Sequence, residues 1–200
     1  MPGDSAALAK WAKVTVMTAA AQTLISVDEF LASADERDGR WELELGILIA
    51  MAPERLAHDE TKAAAWSALG SAIARAKAPC RAVIDGPAVR ITSKTAYQPD
   101  GLVYCGPRLP QDAREAPNPF LLVEVLSAST AARDSTRKLI GYFSLPSVIH
   151  YLILDPEARA VIHHKRGEGG VVETRFAESG SLRLDPPGLE VAVADLFPSE

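Results

Sequence analysis

Two kinds of pattern alternate along the chain: short apolar runs and stretches with a three/four spacing. Residues 120–126, Phe-Leu-Leu-Val-Glu-Val-Leu, form an apolar run broken by a single carboxylate, Glu124. A run that short and rich in Val and Leu predicts a strand buried on both faces. A polar cluster, Ser127-Ala128-Ser129-Thr130, follows, and then the period changes. Leu139, Tyr142 and Phe143 fall at helical spacing, while Asp134 and Lys138 lie four apart on another face. The hydroxyl of Ser129 or Thr130 is suited to cap that helix by accepting a free backbone N–H. Strand, polar turn and helix together carry an acid and an amine toward one place.

The remaining pattern supplies the frame. Ser26-Val27-Asp28-Glu29 reads as a capping box that opens a short helix through Phe30 and Leu31. Residues 41–45 alternate, which predicts a strand with Trp41, Leu43 and Leu45 on one face and Glu42 and Glu44 on the other. Gly46 and the apolar run 47–51 complete a hairpin or bulged pair. An Ala-rich stretch over 56–77 predicts the longest helix, stopped by Pro79. Short strands follow at 80–84, 88–91 and 101–105, then a proline-rich surface loop over 106–119. Residues 149–154 form another strand, and 160–165 with 171–176 make a hairpin around a Gly-rich turn. The order predicts an α+β fold, a mixed β-sheet core flanked by helices. Residues 1–22 are a poorly patterned N-terminal extension, with a short amphipathic helix through Leu8 and Trp11 as the competing reading and Met17 as an alternative start. A single domain spans 23–200, and residues before Ser26 are expected to pack little.

Composition narrows the function. At 200 residues, 48% hydrophobic and 24% charged, the chain suits one packed domain. A net charge of −5 excludes a surface coated in basic residues, so any nucleic-acid contact needs a local patch. Cys80 and Cys105 stand far apart and in no metal-ligand spacing. They read as free thiols in a reducing compartment. No apolar run approaches the ~20 residues of a membrane span, and the first residues lack an unbroken apolar core. The expectation is a cytoplasmic protein without a membrane partner.

Asp100 follows Pro99 at the start of one strand, and Glu124 lies within the next. Consecutive strands are commonly neighbours, so the two carboxylates can converge. Paired hard oxygens suit Mg²⁺ (or Mn²⁺) completed by phosphate oxygens, and Lys138 could hold a water or stabilise developing charge. The bland alternative is a solvated Asp, a strand Glu paired to an Arg, and an Asp134–Lys138 helix pair of about 0.3–0.5 kcal/mol. His58, Arg133 and Arg137 are candidate phosphate contacts, as is Arg90; His58 at a helix start is as readily a surface residue. His163 and His164, adjacent on a strand, point to opposite faces and form no metal pair. Ser127, Ser129 and Thr130 lack a nucleophile elbow around them.

An ordered series runs through these residues: Glu42 in Trp-Glu-Leu before Gly46, His58 at a helix start, Pro99-Asp100, then Val123-Glu124-Val125-Leu126-Ser127 with Asp134, Lys138 and Tyr142, and 150–156 as HYLILDP. It resembles the Uma2 family, described as putative restriction endonucleases, within the PD-(D/E)XK nuclease superfamily. The resemblance extends over about 24–197. It implies a restriction-endonuclease-like fold in which Asp100 and Glu124 ligate a divalent metal and Glu42 is a further active-site acid. The superfamily's Lys usually stands two residues after the Glu, where this chain has Leu126; the family's migrated Lys falls on Lys138. Leu45 replaces an acid and Trp41 a Tyr of the family's hairpin. The leading expectation is a Mg²⁺-dependent endonuclease hydrolysing DNA phosphodiester bonds, with a homodimer suited to duplex substrates. The alternatives are a catalytically inactive nuclease-fold binding or assembly module, and hydrolysis of a small phosphate ester.

Overall fold

The computed structural model describes residues 23–126 and 133–199. Leu8, Trp11, Ser129 and Thr130 lie outside the described residues, as do the side chains of Arg133 and Asp134.

Helix α1 (Val27–Ala32) opens with a capping box: the Ser26 hydroxyl accepts the Glu29 N–H at 3.2 Å, and the Glu29 carboxylate accepts the Ser26 N–H at 2.7 Å. Its buried Val27 and Phe30 cover Leu43 of β1 (Trp41–Glu44). Packing starts earlier than expected. Ile25 donates its N–H to the Gly46 carbonyl at 2.9 Å and lays its half-buried side chain on this cluster. Strands β1 and β2 (Ile47–Ala50) form a hairpin in the register Glu44↔Ile47, joined by Leu45 and Gly46. Both turn residues have positive φ, 51° and 84°, as a two-residue hairpin turn matched to strand twist requires. Leu45 therefore leaves the apolar strand face assigned to it and is exposed.

Strands β4 (Val89–Thr92) and β5 (Thr95–Tyr97) join this hairpin in a four-stranded sheet of order β2-β1-β5-β4, with β3 (Cys80–Ile84) placed elsewhere. The main sheet has six strands, β10-β9-β8-β7-β6-β3. They are β6 (Gly101–Cys105), β7 (Pro119–Val125), β8 (His150–Asp155), β9 (Ala160–Arg166) and β10 (Val172–Ala177) with β3. Among these six strands only β7 and β8 pair in parallel, and α3 (Arg133–Ser144) lies in the connection between them. A parallel pair needs such a crossover, whereas the antiparallel neighbours need only turns.

Each face of the main sheet is covered. Helix α2 (Leu56–Ala76) ends at Lys77, whose φ of 51° turns the chain just ahead of Pro79. Ala65, Leu69, Ala72 and Ile73 of α2 pack on Val103, Leu121, Val123 and Leu152, and a hairpin of β11 (Ser181–Leu184) and β12 (Leu189–Ala192) completes that layer. On the other face Tyr142 of α3 meets Leu102, Leu122, Tyr151 and Ile153, beside Val89 and Tyr97 of the smaller sheet. Gly141 permits this approach: a Cβ there would lie 3.0 Å from Tyr97 Cε2. Leu121, Leu122, Leu152 and Leu154 are wholly buried, each contributing about 1.5–3 kcal/mol, so β7 and β8 are the stable centre that carries the site.

Cys80 and Cys105 are disulfide-bonded, which corrects the reading of two free thiols. They are register partners at the ends of β3 and β6, a closeness that their separation of 25 residues conceals. The argument from free thiols to a reducing compartment falls with it. Among the described residues no helix is long and apolar enough to cross a membrane.

Candidate active site

The register of β6 and β7 pairs Gly101 with Val123, so one step outward Asp100 stands opposite Glu124, on the face shared with Leu102 and Leu122. Asp100 is almost wholly buried. Its Oδ2 accepts the Val125 N–H at 2.8 Å and its Oδ1 accepts Arg40 Nη1 at 3.1 Å, while His58 Nε2 lies 3.2 Å from Oδ2. Burial pushes the Asp100 pKa up, but the His58 ring, the Val125 N–H and Arg40 together outweigh it and hold the group at about 2. Asp100 is a fixed anion at any ordinary pH.

Glu124 is treated differently. Both its oxygens lie 3.1 Å from Lys138 Nζ, and Oε1 also accepts the Tyr142 hydroxyl at 2.7 Å. Lys138 and Tyr142 are four apart on α3, hence on one face, and Gly141 lets that face close on the sheet. Lys138 is also 2.9 Å from Glu42 Oε1, an atom that accepts the Gln98 N–H at 3.0 Å. Glu42 and Lys138 are both buried. Burial raises Glu124 to about 7; Lys138 and Tyr142 pull it down, while the charges of Asp100 and Glu42 add to the rise. The reading of Lys138 as half of an exposed helix pair is thereby corrected. Its ammonium sits between two buried carboxylates from β1 and β7.

On the other side of Asp100, the start of α2 brings a second group. Glu54 pairs with both Arg40 and Lys62. Lys62 Nζ further bonds both oxygens of Asp85 at 2.9 and 3.0 Å and lies 3.4 Å from Asp59, and Arg40 is 3.1 Å from Asp85. One donor atom each from Glu54, His58 and Asp100 lie within 4.8 Å of one another. His58 Nε2 is buried and makes no hydrogen bond, since its approach to Asp100 is poorly aligned. Two carboxylates and a buried imidazole nitrogen that makes no aligned hydrogen bond are a donor set that fits a divalent cation.

Sequence reasoning missed Arg40, Glu54, Lys62 and Asp85. A signal was present, because Glu54, His58 and Lys62 recur at every fourth position. Arg137 is exposed at the site's margin, with Nη1 2.8 Å from Glu44. Arg90 is not brought to these acids: it ties α1 to the 106–119 loop through Asp28 at 2.7 Å and Glu115 at 2.8 Å. His163 and His164 do face opposite ways, His163 to His150 at 3.0 Å and His164 to Thr174 at 2.8 Å.

The Uma2 family, whose description is "putative restriction endonuclease", matches residues 27–195. The chain belongs to this family. A match of that extent takes in α1, both sheets, α2, α3 and every acid described above. The Uma2 chain also aligns with an uncharacterized protein of Synechocystis sp., 33% identical over 100 residues, which is 50% of this chain and 53% of the relative. The chain thus spans about half the length of the curated relative it matches. Among solved structures, it is similar to a putative nuclease belonging to DUF820 from Anabaena variabilis, with a TM-score of 0.68 and 18% identity over 86% of this chain and 97% of that one. At that identity the likeness speaks for the fold, which is the restriction-endonuclease-like α+β arrangement.

Proposed function

We propose that this Uma2 chain is a metal-dependent endonuclease that hydrolyses phosphodiester bonds of DNA. The observation that carries the reading is the buried Glu42–Lys138–Glu124 triad beside Asp100, at one end of the two central strands. Burying two acids and an amine costs stability, and groups perturbed in this way concentrate at functional sites. Asp100 and Glu124 are the acids that would hold a divalent ion, which when bound supplies positive charge opposite a phosphate. Glu42 and Glu124 fix the Lys138 ammonium, so that it can donate to a water or to a phosphate oxygen without reorganising. Tyr142 also fixes the Glu124 carboxylate, donating its hydroxyl to Oε1. Arg137, exposed beside the site, and Arg133 on the same helix are the candidate contacts to flanking phosphates.

The test is incubation of purified protein with plasmid and single-stranded DNA in Mg²⁺ or Mn²⁺, beside Glu124→Gln and Lys138→Met variants and a chelator control. Cleavage by the wild type, lost in the chelator and in Glu124→Gln and cut by about 10²–10³-fold in Lys138→Met, is the expected result. DNA binding with a steep salt slope but no cleavage under any of these conditions would refute turnover.

A further inference from the structure

We infer that the start of α2 forms a nitrogen-containing metal site, in which His58, Glu54 and Asp100 hold a divalent ion of the Mn²⁺ or Co²⁺ class in preference to Mg²⁺. The inference rests on the metal-dependent reading above and names the class of ion; it adds two ligands, Glu54 just ahead of α2 and His58 in its first turn, that neither the superfamily motif nor its spacing supplies.

Three observations carry it. The first is geometric. Donor atoms of the three residues already lie within 4.8 Å of one another. Two atoms bound to one such ion, each about 2.0–2.2 Å away, lie at most roughly 4.4 Å apart, so small side-chain rotations suffice. The second is the state of His58. Its Nε2 is buried between two carboxylates, 3.2 Å from Asp100 Oδ2 and 4.0 Å from Glu54 Oε1, and makes no aligned hydrogen bond to either. A polar nitrogen in that position ordinarily finds a partner, and an ion shared with the carboxylate would be one. The third is charge. Glu54, Asp59, Asp85 and Asp100 gather around Arg40 and Lys62, so among these described side chains acids outnumber permanent cations by two.

The nitrogen decides which ion is favoured. Mg²⁺ demands oxygen ligands and gives up its waters reluctantly, whereas Mn²⁺ and Co²⁺ accept imidazole with rising affinity along the first-row series. A site of three carboxylates alone would not discriminate in this way. Local sequence explains the placement: Glu54 precedes the helix, His58 lies in its first turn four residues on, and Asp100 arrives from the strand beneath.

The test uses the full chain stripped of metal. Isothermal titration with Mn²⁺ and Mg²⁺ is paired with pulsed electron paramagnetic resonance of the Mn²⁺ complex, which detects a coordinated ¹⁴N. His58→Asn and Glu54→Gln are compared by both methods after circular dichroism has established their fold. The expected result is Mn²⁺ affinity at least about tenfold above Mg²⁺, with a ¹⁴N coupling. In His58→Asn both the coupling and the preference should vanish; in Glu54→Gln the affinity should fall while the coupling stays. Equal affinities in the wild type, absence of the coupling, or a coupling that persists in folded His58→Asn would overturn the proposal. If His58→Asn does not fold, the wild-type coupling and Glu54→Gln decide. Cleavage of DNA without a ¹⁴N coupling would refute this site alone, whereas His58-dependent Mn²⁺ binding without cleavage would refute the nuclease reading alone.

Discussion

Replacing Lys138 with Met separates a buried charge triad from an exposed helix pair. Met keeps most of the side-chain volume and removes the ammonium, which stands 2.9 Å from Glu42 and 3.1 Å from Glu124. Each contact is worth about 5 kcal/mol of gross Coulomb attraction at an effective dielectric near 20, largely offset by desolvation in the wild type. Breaking a buried pair leaves its partners charged in a poor solvent and costs about 3–5 kcal/mol. Part of that loss is recovered by protonation. Glu124, already raised to about 7 from 4.5, must rise further without Lys138. A carboxyl whose folded pKa exceeds its unfolded value adds stability at low pH and loses it as pH climbs through the folded value. The variant should therefore unfold more easily at pH 9 than at pH 6, by a margin larger than in the wild type. Urea unfolding of both proteins, followed by circular dichroism at the two pH values, gives the comparison. A loss below about 1 kcal/mol at both, or a larger loss at pH 6, would refute a buried Lys138 and return it to the surface.

Other predictions concern the frame. His150 and His163, both buried, are lowered by burial to about 4 from 6.5; their contribution is present above pH 6.5 and lost as pH falls toward 4, up to about 3 kcal/mol each, so melting should drop over that window and drop less in His163→Gln. Gly141→Val places a branched side chain against Tyr97 and should push α3 off the smaller sheet, costing about 1–3 kcal/mol and altering the near-ultraviolet signal of Tyr97 and Tyr142. Thiol titration of denatured, unreduced protein should find no free sulfhydryl, given the Cys80–Cys105 bond; two titratable thiols per chain would restore the free-cysteine reading.

The parts of the site legible in the sequence were those encoded by one continuous stretch. Residues 120–143 announce a buried strand and a helix whose Lys138 and Tyr142 return to it, because apolar period and chain continuity together leave little freedom. Asp100 was placed by the tendency of consecutive strands to pair. What escaped depends on contacts between distant segments. Arg40, Glu54, Lys62 and Asp85 come from a β1 approach, a helix start and a strand end, and no local pattern says that these meet. Cys80 and Cys105 escaped for the same reason, being joined by register and separated in sequence. Leu45 misled because alternation continued one residue past the strand into a turn set by backbone twist, and β5 was too short, at three residues, to show any period.

Arg40 and Lys62 give the acidic cluster a further property. With these cations pressed against Glu54, Asp85 and Asp100, the protein carries its own counter-ions. On the metal-binding reading proposed above, an arriving ion would not fill a bare, mutually repelling nest; it would exchange with the Arg40 guanidinium, which the Gln98 carbonyl would keep within reach. The fold need not wait for its ion, and a chelator should leave it standing. Occupancy would then follow free metal concentration reversibly, with Arg40 able to return to Asp100 whenever the ion departed.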